Sequence, residues 1–130
     1  MSIVEQVVEF NSKILCIGQR EIGHVPDNEY MLGVKCLFEE ISEFEGARSN
    51  DDLVGCIDAL ADLLYFGIGL MYKHGLSAEK INRVLSAVHE ANMTKQRGIR
   101  AKRATGAADA IKPDNWVPPE ARIAQIISEK

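Results

Sequence analysis

Between Leu53 and Tyr72 the chain reads LVGCIDALADLLYFGIGLMY, an apolar run broken by charge only at Asp58 and Asp62. A run of this length and composition predicts one long helix. Lys73 and His74 suit its negative C-terminal end, and Gly75 supplies a stop. Asp58 and Asp62 are four residues apart and share a helix face. Burying an unpaired carboxylate costs several kcal/mol or neutralises the group. Two on one face repel each other unless a cation stands between them.

A second acidic pair, Glu40 and Glu43, lies on the preceding helical segment, within Glu39-Glu40-Ile41-Ser42-Glu43. Their i, i+3 spacing puts them on one face, with Glu39 turned away from Glu40. A hairpin of the two helices would aim Glu40, Glu43, Asp58 and Asp62 at one spot. All-oxygen ligands of this kind suit Mg²⁺, with Mn²⁺ as the alternative. A di-iron bundle needs two Glu-x-x-His motifs. Only Glu21-x-x-His24 matches, in an expected loop.

The 130 residues predict a single domain, and a net charge of −4 with 6% aromatics excludes a general binder of polymeric nucleic acid. Two central aspartates make membrane insertion costly, so the apolar helix is expected to be enclosed by protein. One short chain cannot enclose it, which predicts a homodimer or homotetramer. Cys16, Cys36 and Cys56 have no metal-type spacing and are expected to be reduced, buried residues of a cytoplasmic protein. No basic leader precedes an apolar core at the N-terminus.

The expected fold is all-α, of the four-helix-bundle type. Helices are expected over 3–17, from a cap at Asp27 or Asn28 to about Ala47, from Asn50 to Lys73, and from a cap at Ser77 to about Arg97. The stripe Met31, Val34, Leu37, Phe38, Ile41 and Phe44 is the expected apolar face of the second helix. Residues 1–98 then form a helical core. Residues 99–130, broken by Gly106, Pro113, Pro118 and Pro119, form an irregular arm packed on it, without strands and ending in a short helix.

Asn92 and Lys95 stand i, i+3 apart, and Lys95, Arg97, Arg100, Lys102 and Arg103 follow with no acid from Ala91 to Ala108. Such a cluster also suits a helix C-terminus with a solvated tail. Set beside four carboxylates, it is what a Mg²⁺–polyphosphate substrate requires. His24, His74 and His89 read as structural or surface residues, Trp116 as an anchor for the arm and Phe10 as core. No Walker loop, dinucleotide fingerprint or nucleophile elbow is present.

In this order, EExxE, DALADLLY, HEANMTK and a proline-rich tail resemble the MazG-like all-α nucleoside triphosphate pyrophosphohydrolases. The likeness is to their phosphoribosyl-ATP pyrophosphohydrolase-like branch, and it spans nearly the whole chain. The resemblance implies an oligomeric all-α enzyme that cleaves an NTP or dNTP between the α and β phosphates with Mg²⁺. It makes Glu40, Glu43 and Asp62 metal ligands. It assigns phosphate or sugar contacts to Asn92 and Lys95. The family pattern has a Glu where this chain has Ala59, with Asp58 next to it. Glu39 or Glu43 would serve as the base for water. Two other readings are hydrolysis of phosphoribosyl-ATP and a non-catalytic helical module that binds nucleotide or metal.

Overall fold

The computed structural model describes residues 1–99 and 105–130. Its elements are helices α1 (Ile3–Lys13), α2 (Asp27–Ser49), α3 (Leu53–Lys73) and α4 (Ala78–Asn92), strands β1 (Gln96–Gly98) and β2 (Asp109–Ile111), and helix α5 (Glu120–Ser128). The fold class is all-α, as the periodicity predicts. The chain divides into two compact units, Met1–Ile81 and Asn82–Lys130.

Local chemistry sets the helix ends. At α1, Ser2 Oγ accepts from the Glu5 amide while the Glu5 carboxylate accepts from the Ser2 amide, a reciprocal cap. The helix stops at Lys13 rather than Ile17. Cys16 turns left-handed, with φ 56°, and the Ile17 amide donates back to Asn11 O. Pro26, not Asp27 or Asn28, is the N-cap of α2, which places Asp27 in the first turn beside the positive helix end. Asp51 is also left-handed, at φ 53°, so Asn50 does not open α3. The cap is Asp52, whose side chain accepts from the Gly55 amide at 2.9 Å.

Three helices build the first unit. α2 and α3 form an antiparallel hairpin: Gly33 lies against Leu70, and Gly55 lies against Ala47. A Cβ on Gly33 would stand 2.6 Å from Leu70 Cδ2, so the missing side chain makes room for Leu70 against α2. α1 packs on α3 through Val7 and Asn11, which meet Gly69. The face of α2 turned inward carries Gly33 and Glu40, both buried. The expected apolar stripe is not enclosed, since Met31, Phe38, Ile41 and Phe44 are exposed. The Leu70 side chain fills the space beside Gly33, on the same face of α2 as Glu40.

The long loop between α1 and α2 is tied to the end of α3. Tyr72 Oη donates to Ile17 O at 2.8 Å, Gln19 Nε2 to Gly75 O at 2.7 Å, and Arg20 to both Lys73 O and Glu29. Gly75, at φ 97°, ends α3 as expected. A Cβ there would lie 2.6 Å from the Glu21 carbonyl carbon and 2.7 Å from Ile22 Cα. Gly75→Ala combines left-handed strain with a backbone clash. It should destabilise the chain by about 1–3 kcal/mol, read as a lower thermal midpoint.

Of the cysteines only Cys56 is buried, Cys16 is exposed, and all three are free. In the Asn82–Lys130 unit α4 ends at Asn92 instead of Arg97. Gln96–Gly98 pairs antiparallel with Asp109–Ile111, a hairpin that the expectation of an arm without strands did not include. α5 follows Pro119, and Arg83 makes a two-point ion pair with Glu129 at 2.6 and 2.9 Å. Ser77 Oγ accepts from the Lys80 amide in the first turn of α4, as a cap there requires.

Candidate functional site

The α2–α3 hairpin brings the acidic residues of both helices together. Glu40 is buried on the inner face of α2, and among the described residues its Oε2 has no hydrogen-bond partner. Its carboxyl is pushed up to about 7 from an ordinary 4.5, first by burial, then by a hydrogen bond with Glu43 and by the charges of Glu43, Asp62 and Asp58. The four carboxylates expected to converge therefore act on one another. Asp62 is half-buried, while Glu43 and Asp58 are exposed. Glu39 stands apart from this group and forms an exposed ion pair with Lys35 at 4.0 Å.

Three carboxylates around the orphaned oxygen of Glu40 repel a charge there, a repulsion that a proton on Glu40 or a bound cation relieves. The donor set, all carboxylate oxygen, fits a hard divalent ion such as Mg²⁺. Among the described residues no three His, Cys, Asp or Glu side chains are already arranged to hold a metal ion.

Without metal, Glu40 keeps its proton to about pH 7 in the folded chain but releases it near 4.5 when unfolded. Across that window the folded state binds more protons, so this group's contribution to stability is lost as pH rises. Metal-free thermal melts should show a falling midpoint between pH 4.5 and 7, and Glu40→Gln should flatten that part of the profile. A wild-type profile that rises through this window would remove Glu40 as its source.

One helical turn from the carboxylates lies a cavity of about 220 Å³, framed by α1, α2 and α3. Cys36, four residues before Glu40, and Phe66, four residues after Asp62, both line it. Phe10, Tyr65, Leu32 and Asn11 complete most of the wall, and the rings of Phe10 and Tyr65 meet edge to face at 5.5 Å. Phe10, expected in the core, is at the cavity and partly exposed. Asn11 is 3% exposed and donates through Nδ2 to Val7 O at 2.9 Å. Asn11 is not among the residues that the sequence singles out. Its signal was an amide in an apolar stripe, next to Phe10.

The expected cations belong to the Asn82–Lys130 unit. Asn92, Lys95 and Arg97 line an open groove with Gln96 and Asp109. Arg100, Lys102 and Arg103 lie outside the described residues. Trp116 anchors its segment as expected, with Nε1 donating to Ala91 O at 3.0 Å. His74 closes α3 as the sequence suggests, its Nδ1 donating to Leu70 O at 2.6 Å.

No curated protein matches the chain. The family model described as phosphoribosyl-ATP pyrophosphohydrolase matches residues 25–92. That stretch takes in α2, α3, α4 and all four interacting carboxylates, so the chain belongs to the phosphoribosyl-ATP pyrophosphohydrolase family, within the MazG-like nucleotide pyrophosphohydrolases.

Proposed function

We propose that the chain is a Mg²⁺-dependent nucleoside triphosphate pyrophosphohydrolase, converting an NTP or dNTP and water to the nucleoside monophosphate and pyrophosphate. The observation that supports it best is Glu40, a buried carboxyl among three others whose Oε2 lacks a partner among the described residues. Glu40, Glu43, Asp58 and Asp62 would hold the ion. When bound, a divalent cation supplies the positive charge that the phosphate oxygens need. Glu43, exposed beside Glu40, takes the proton from the attacking water, with Glu39 as the alternative base. The water oxygen attacks the α-phosphorus, the bond to the bridging oxygen breaks, and pyrophosphate leaves. Asn92 and Lys95 bind the phosphate chain, and the cavity at Phe10 and Tyr65 takes the base. A second copy of the chain covers the exposed side of α3.

The family match favours a second reading, phosphoribosyl-ATP as substrate. A panel of NTPs, dNTPs and phosphoribosyl-ATP, assayed for pyrophosphate release with and without Mg²⁺, decides between them. The first reading expects turnover of at least one NTP or dNTP above that of phosphoribosyl-ATP. Metal-dependent turnover of phosphoribosyl-ATP alone establishes the second, and no turnover of any member refutes both.

A further inference from the structure

Trp116 is the only tryptophan in the chain, and it gathers positive charge within the Asn82–Lys130 unit. Its hydrogen bond to Ala91 O fixes the ring against the end of α4. Lys95 Nζ stands 5.0 Å from the ring centroid, and Lys112 Nζ stands at the same distance. The two ammoniums cannot be further apart than twice that length. Lys112, on the far side of the hairpin in sequence, had no place among the expected cations.

Among the described residues neither lysine forms an ion pair. The face of an indole attracts a cation through its quadrupole but carries no net charge. The ring therefore orients both ammoniums and neutralises neither. Lys95 also lines the groove with Arg97, where Asp109 is the lining carboxylate. Confining two flexible lysines on one ring costs side-chain entropy, and their like charges repel at this range. A polyvalent anion that meets both ammoniums offsets each cost.

We propose that Lys95, Lys112 and Trp116 form an anion site for a diphosphate group. Lys112 and Trp116 lie beyond the family match at 25–92. The site deepens the functional reading above and rests on it only for the source of the ligand. That source is either the terminal phosphates of the nucleotide or pyrophosphate already released.

Because Trp116 is the sole tryptophan, its fluorescence reports this site without any need for turnover. The full chain is titrated with sodium pyrophosphate in metal-free buffer at constant ionic strength, with sulfate as the control anion. A saturable fluorescence change is expected with pyrophosphate, and the apparent Kd should weaken roughly tenfold in Lys112→Ala and in Lys95→Ala. Lys112→Arg should restore binding, and because Lys112 is exposed the melting curve of Lys112→Ala should match wild type. In kinetic assays, a raised KM in Lys112→Ala assigns the site to the nucleotide's phosphates. Weaker product inhibition at unchanged KM assigns it to free pyrophosphate. No saturable change, an equal change with sulfate, or unaltered binding in Lys112→Ala overturns the site. Pyrophosphate binding by a chain that hydrolyses no nucleotide keeps the site and overturns only the functional reading. Hydrolysis without pyrophosphate binding does the reverse.

Discussion

Asp62→Asn should become more heat-stable without metal while losing nearly all pyrophosphate release. The substitution keeps the shape of the side chain and removes one of the charges that act on Glu40. With less repulsion around a buried carboxyl, the metal-free fold gains stability. On the proposed function, the same change replaces a charged carboxylate ligand of the metal by a neutral amide. Electrostatic stabilisation by a catalytic metal is worth several kcal/mol, so kcat/KM should fall on the order of 10³-fold. Wild-type protein at a hundredfold excess of Mg²⁺ over its Kd should gain about 2.7 kcal/mol from binding, and the variant should gain almost none. The measurements are paired melts, with and without Mg²⁺, beside steady-state pyrophosphate release. An inactive variant that is also less stable would point to ordinary misfolding. An active variant with an intact Mg²⁺ response would take Asp62 out of the site.

The second large effect concerns assembly. Leu53, Val54, Ile57, Leu60 and Leu64 form one exposed stripe along α3. α3 is long and apolar enough to cross a membrane by length and composition, yet only 22% of its most apolar window is buried. The expectation that protein encloses this helix is therefore not met within one chain. A second copy would cover the stripe, and Gly67 would let a partner helix come close. Wild-type chain should scatter light as a dimer or tetramer at micromolar concentration. Leu64→Lys would bury an unpaired ammonium in that contact, a cost of several kcal/mol. Its association should weaken on the order of 10³-fold, leaving a 14.4 kDa monomer. A stable, folded wild-type monomer would overturn this arrangement.

What was legible in the sequence was local. Helix type follows from periodicity. The ends at Ser77, Gly75 and Pro119 follow from single-residue chemistry, and the two acidic motifs stand out by their spacing within each helix. The end of α1 and the start of α3 were misplaced, because Cys16 and Asp51 adopt left-handed conformations that their identities permit but do not demand. Four carboxylates in two motifs could be nominated, but their inequality could not. Glu40 is buried while Glu43 stays exposed, because Glu40 shares the face of α2 on which Gly33 lies against Leu70. The cavity at Phe10 and Asn11 needs three helices at once. The β1–β2 hairpin joins residues more than ten positions apart through segments too short to show alternation. Lys112 joins Lys95 only because both reach one indole ring. Propensity and spacing act within a few residues, and the sequence alone determines what they control. Which polar groups lose water, and which charges meet, is decided by packing between distant segments, and that belongs to the tertiary structure.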